Sequence, residues 1–204
     1  MMSKTTRPEC EHRALVRPVE RRDVDGVTTV AGYAAVFGEV ADIGGYFQEV
    51  IARGAFTETL RTADVRAYYD HDRGRVLGRS SAGTLRLKED QKGLYVEINL
   101  PDTSDGRDVK TLIERGDITG MSFGFSVLRQ EWDETVEPPK RTILEVELSE
   151  VSIVSNPAYE GTSIALRSLD EARKERRQQN FSAAARRVGM KVSLDLQTRA
   201  RSKA

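Results

Sequence analysis

The 204 residues, 38% of them hydrophobic, are enough to bury one sizeable core, and no stretch approaches the ~20 apolar residues of a membrane span. The N-terminus MMSKTTRPECEHR lacks the apolar run of a signal peptide, so a soluble intracellular protein is expected. The lone Cys10 excludes an internal disulfide, and with only His12 and His71, far apart in sequence, it offers no metal-ligand cluster, so neither metal nor cofactor is expected.

Charge is balanced, with 32 basic and 32 acidic residues, but it is not evenly spread. From Arg167 to Ala204, 11 basic residues face 4 acidic ones, so an acidic body carries a basic tail. Residues 1–25 are charged and lack apolar periodicity, which predicts a disordered leader. The body is expected over 26–167, and a basic tail, partly helical or disordered, over 168–204.

From Val27 the character changes. VTTVAGYAAVF is rich in β-branched and aromatic residues and reads as a strand, followed by a shorter one in GGYFQEVI. GAFTETLRT predicts a short helix, and VRAYYDH a strand with Val65, Ala67 and Tyr69 on one face; His71 continues that parity. TLRLKED and LYVEINL predict two strands joined by a turn at Gln91, Lys92 and Gly93. In TSDGRDVKTLIERGD, Ser104 or Asp105 can cap a helix that buries Val109, Leu112 and Ile113 and stops at Gly116. MSFGFSVLRQEW and TILEVELSEVSIV then pair as a long hairpin through ETVEPPK, giving a β-rich body with a few helices.

Three residues stand out from this pattern. Gly120-Met-Ser122-Phe-Gly124 spells a nucleophile elbow, but an elbow triad needs a histidine after the serine, and the chain has only His12 and His71 before it. Ser122 instead shares a strand face with Gly124 and Ser126, small residues that would let a peptide backbone approach. His71, at a strand end, is the one credible base in the body, because His12 falls in the expected disordered leader. Strict alternation puts Glu150 on the apolar face with Leu144, Val146 and Leu148, where a carboxylate needs a specific partner. A bulge after Leu148 that turns Glu150 to solvent is the alternative.

The ordered set GYAAVFG, GAF at 54–56, YDHD followed by VLGR, GMSFGF and LSEVSIVSNPAYEGT resembles the prohead maturation proteases of tailed bacteriophages, distant relatives of the herpesvirus assemblin proteases. The resemblance implies a β-rich α+β fold, a distorted antiparallel β-barrel surrounded by a few helices, as in the herpesvirus proteases. It implies a serine endopeptidase with Ser122 as nucleophile, His71 as general base and Glu150 orienting the imidazole, with Glu147 as fallback and Asp72 a weaker one. Backbone N–H groups near Phe123 and Gly124, or an arginine-bearing loop, are candidate oxyanion donors. Asn156-Pro157 reads as a turn that ends the Glu150 strand. The implied partners are the major capsid protein and the scaffolding protein, with the enzyme itself as a further substrate, acting inside the procapsid in the host cytoplasm as a monomer or homo-oligomer, with no membrane role. A non-catalytic capsid-assembly component with a protease-like fold is the rival, though it would need neither Ser122 nor His71. The acidic body and the few aromatics of the tail argue against nucleic-acid binding.

Overall fold

The computed structural model describes residues 10–24 and 26–155, and in the tail 167, 169–170, 172–178, 181–183, 186–187 and 190–191. The chain divides into two units, Met1–Thr162 and Ser163–Ala204, and the described residues of the second are helical. In the first unit the elements follow as β1 (Glu11–Val16), β2 (Glu20–Val24), β3 (Val27–Val36), β4 (Ala41–Ile43), β5 (Phe47–Ile51), α1 (Thr57–Thr62), β6 (Arg66–Tyr69), β7 (Asp72–Arg79), β8 (Leu85–Glu89), β9 (Gly93–Asn99), α2 (Ser104–Arg115), β10 (Gly120–Asp133) and β11 (Lys140–Val154). No helix of the described residues is long and apolar enough to cross a membrane.

Two sheets share one core. The larger runs β1-β10-β11-β5-β4, with β6 also paired to β11 and β7 to β6; the smaller runs β2-β3-β9-β8. Because β11 is 15 residues long, its first part pairs with β5 and its last part with β6, both in parallel. The sheet is therefore mixed, and among the described residues it does not close into the expected antiparallel barrel. The fold is β-rich α+β.

Period-two alternation along β10 sends Met121, Phe123 and Phe125 into that core. Phe123 stacks on Phe125 at 4.8 Å and meets Phe56 edge-on at 5.6 Å, while Leu94, Val96 and Ile98 of β9 join the same cluster from the other sheet. Each such buried side chain contributes about 1.5–3 kcal/mol. The opposite face of β10 carries Ser122, Gly124 and Ser126, and this face builds the site.

Several sequence expectations need correction. Residues 11–24, read as a disordered leader, form β1 and β2, because pairing with β10 and β3 satisfies their backbone despite the charged side chains. Helix α2 is capped by Thr103, whose side chain accepts from the Gly106 N–H, rather than by Ser104 or Asp105; Gly116 ends it at φ 79° as expected. The Asn156-Pro157 turn lies outside the described residues.

Candidate active site

Glu150 owes its position to a bulge. Gly124 pairs with Glu150 but Phe125 pairs with Leu148, so Ser149 is the extra residue and the alternation resets there. The carboxylate leaves the apolar face, as the bulge alternative foresaw, yet it turns towards two imidazoles rather than water and remains 7% exposed. Gly124 makes the room: a Cβ there would lie 2.8 Å from Glu150 Oε1 and 3.0 Å from His12 Cδ2.

His71 does not continue the parity of β6. Strand pairing ends at Tyr69–Asp72, and Asp70 and His71 form the two-residue loop of the β6–β7 hairpin, with φ of 49° and 59°. Positive φ at both loop positions is the twist-matched hairpin geometry, and Asp and His are among the side chains that tolerate it. Asp70 secures the turn by accepting from the N–H and the hydroxyl of Ser155, just past β11. His71 is thereby swung off the apolar face onto Glu150, with Nδ1 at 2.6 Å from Oε1. An ionised carboxylate only accepts, so Nδ1 carries the hydrogen and Nε2 is left as the basic nitrogen.

His12, set aside by the sequence reading, sits in the same site. It pairs with Gly124 across β1 and β10, its Nε2 lies 3.4 Å from Glu150 Oε1, and its ring meets that of His71 edge-on at 4.4 Å. Its neighbours hold it there. Arg13 makes a two-pronged bond to Glu49 at 2.7 and 2.9 Å and another to Glu11 at 2.7 Å, while Arg141 bonds Glu11 and Glu49 at 2.9 Å. The four charges are buried and neutral as a set, joining β1 to β5 and β11. On Glu11 burial raises the pKa, but the two guanidiniums prevail and hold it below the usual carboxylate range.

The electrostatics of the site follow from this crowding. Burial pushes Glu150 up, but bonds from His12, His71 and Ser152, whose hydroxyl donates to Oε2 at 2.6 Å, outweigh it and bring the pKa to about 2. On His12 the Cys10 side chain and then Glu150 favour the proton over the opposing effect of burial, and its pKa rises to about 9. Cys10, His12, His71, Ser126, Glu147 and Glu150 line one open pocket of about 650 Å³, with Arg66 and Arg73 at its side.

The structure joins His71 to Glu150 but leaves Ser122 apart from both. Ser122 is 1% exposed, paired with Ala14 and Ser152, and donates its hydroxyl to the Arg13 carbonyl at 3.0 Å. The uncrowded, accessible face expected of it is thus covered in this conformation. Ser126 lies on the same strand face and reaches the pocket. Phe123 and Gly124 are paired on both sides within β10, where N–H groups serve the sheet, and Phe123 points its ring into the core. Glu147 is exposed at the pocket and contacts neither histidine; Asp72 is exposed and bonds the Gly74 N–H at 2.8 Å. Sequence reasoning missed His12, Ser152 and Asp70. The one available signal for His12 was the run Ala14-Leu15-Val16 beside it, too short to announce a strand.

Comparison with known proteins agrees with this architecture. The family model described as "Caudovirus prohead serine protease" matches residues 17–175, a span that begins after β1. The prohead protease of Enterobacteria phage HK97 is 34% identical over 145 residues, which is 68% of this chain and 60% of that protein. The chain therefore matches somewhat under two thirds of the length of that relative. In fold it is similar to the bacteriophage T4 capsid assembly protease, gp21, with a TM-score of 0.52 and 12% identity over 74% of this chain and 100% of that one. With a family match over most of its length and a relative above 30% identity, this chain belongs to the caudovirus prohead serine protease family.

Proposed function

We propose that the chain is a serine endopeptidase that cleaves the major capsid protein or its scaffold, and also itself, inside the procapsid. The observation that carries this reading is the 2.6 Å bond between His71 Nδ1 and Glu150 in a member of a serine protease family. The bond sets the tautomer a general base needs, and the carboxylate stabilises the imidazolium that forms.

In this reading Ser122 attacks the scissile carbonyl, His71 Nε2 takes its proton and returns it to the leaving amine, and an acyl-enzyme links the two halves of the reaction. Ser122 must first exchange the Arg13 carbonyl for His71 Nε2, so the conformation described is a resting one. The basic tail docks on scaffold or is removed by self-cleavage.

The burial of Ser122 favours one rival, a non-catalytic assembly component that keeps the protease fold. Co-expression with the capsid protein, read by intact mass spectrometry, separates the two. Ser122→Ala and His71→Ala are each expected to lower processing by about a thousandfold or more, and Ser126→Ala to retain it. Unchanged processing by Ser122→Ala or His71→Ala would exclude this triad. Absence of processing by the unaltered chain would favour the assembly role.

A further inference from the structure

His12, His71 and Glu150 come from β1, the β6–β7 turn and β11, and each offers one donor atom; the three donors lie within 4.8 Å of one another. His12 and His71 are 59 positions apart in sequence, so only the fold brings these donors together. We propose that these three side chains form a zinc-binding site, and that zinc holds the enzyme inactive. The binding stands on geometry alone, whereas the inhibition rests on the peptidase reading above.

The dimensions suit a small tetrahedral cation. Zinc bonds of about 2.0–2.1 Å to nitrogen and oxygen place neighbouring ligands about 3.3 Å apart. His12 Nε2 already lies 3.4 Å from Glu150 Oε1, the 2.6 Å contact from His71 Nδ1 must open by less than about 1 Å, and the two imidazoles, whose donors lie within 4.8 Å, draw together by side-chain rotation. Ser152 anchors the second carboxylate oxygen, the kind of outer support that orients a ligating group. Two imidazoles and one carboxylate suit zinc better than magnesium or calcium, and the Cys10 sulfur in the same pocket adds a soft donor beside His12. The pocket is open, so the cation has a path in and room for a water as fourth ligand.

The inhibition follows from the tautomer. Zinc on His12 Nε2 releases that nitrogen's proton to solvent, and zinc on His71 Nδ1 displaces the hydrogen that Nδ1 gives to Glu150, so that the neutral His71 imidazole carries its hydrogen on Nε2. An Nε2–H cannot accept the Ser122 proton. Zinc also occupies the carboxylate that would stabilise the imidazolium, so both parts of the relay are lost together.

Since the chain has only two histidines, its imidazole NMR signals report the site directly in the unaltered, chelator-treated full chain. One equivalent of zinc chloride is expected to shift both His12 and His71, with magnesium shifting neither. Calorimetry should give one zinc per chain in the wild type and at least about tenfold weaker binding in His12→Gln, whose amide keeps a hydrogen bond to Glu150 but is a poor ligand. Ser122→Ala should bind zinc like the wild type, which separates the metal site from the peptidase reading. Unshifted histidines at saturating zinc, or a folded His12→Gln with wild-type affinity, would overturn the proposal. Zinc binding with full peptidase activity would overturn the inhibitory role alone.

Discussion

Gly124 is the residue on which the site turns. Its missing Cβ lets the Glu150 carboxylate and the His12 ring approach the same point of β10, and Gly124→Ala would push both aside. Displacement of a catalytic group by about 1 Å costs on the order of 100-fold in rate, so this variant should lower kcat/KM by about 10–100-fold while remaining folded, as peptide kinetics and circular dichroism would show. The Cys10 side chain and, after it, the nearby Glu150 carboxylate give His12 a pH signature. Its folded pKa of about 9 exceeds the ordinary 6.5, so its contribution to stability is complete below pH 6.5 and is lost as pH rises through about 9. With a chelator present, the Tm gap between wild type and His12→Gln should be largest at neutral and acid pH and close in the alkaline range; a gap that widened there would contradict the His12–Glu150 pairing. At this scale much was legible. Glu150 was readable as a carboxylate in need of a specific partner, whereas the positive-φ turn that brings His71 to it was not, since His71 was expected to continue the strand parity. The burial of Ser122 was not, because it depends on Arg13, 109 residues away in sequence.

Strand β1 was the least legible element, and it alters the site most. EHRALV carries three charged or titratable residues in its first three positions, which reads as a solvated leader when each is judged singly. Their charges cancel only across β5 and β11, where Glu11, Arg13, Glu49 and Arg141 bury one another. A pattern that depends on partners in three strands leaves no periodic trace in one. Removing one member leaves an uncompensated buried charge, so Arg141→Ala should lower stability by about 3–5 kcal/mol in urea unfolding, and a loss below about 1 kcal/mol would show the set to be solvated. By contrast, the β10–β11 hairpin was legible from alternation alone, apart from the register shifts between Gly124 and Phe125 and around Arg129. Bulges of this kind leave composition unchanged and redirect side chains, which is how Glu150 leaves the apolar face.

At the scale of the whole molecule, the two sheets bury one continuous core beneath β10 and β11 and leave the opposite face of those strands to polar chemistry. A rigid core under a polar face holds the His71 imidazole and the Glu150 carboxylate in fixed relation, while Ser122 is held by the Arg13 carbonyl. Family membership places the chain among prohead serine proteases, and the His71–Glu150 pair is the contact on which the proposed mechanism rests. GMSFGF supplies the serine and the glycine, but as a strand paired on both sides rather than an elbow. The most direct test is covalent labelling with a fluorophosphonate in a preparation that is processing capsid protein, followed by peptide mapping. The account predicts one adduct, on Ser122, that disappears in His71→Ala; an adduct on Ser126, or full processing with Ser122 unlabelled, would contradict it.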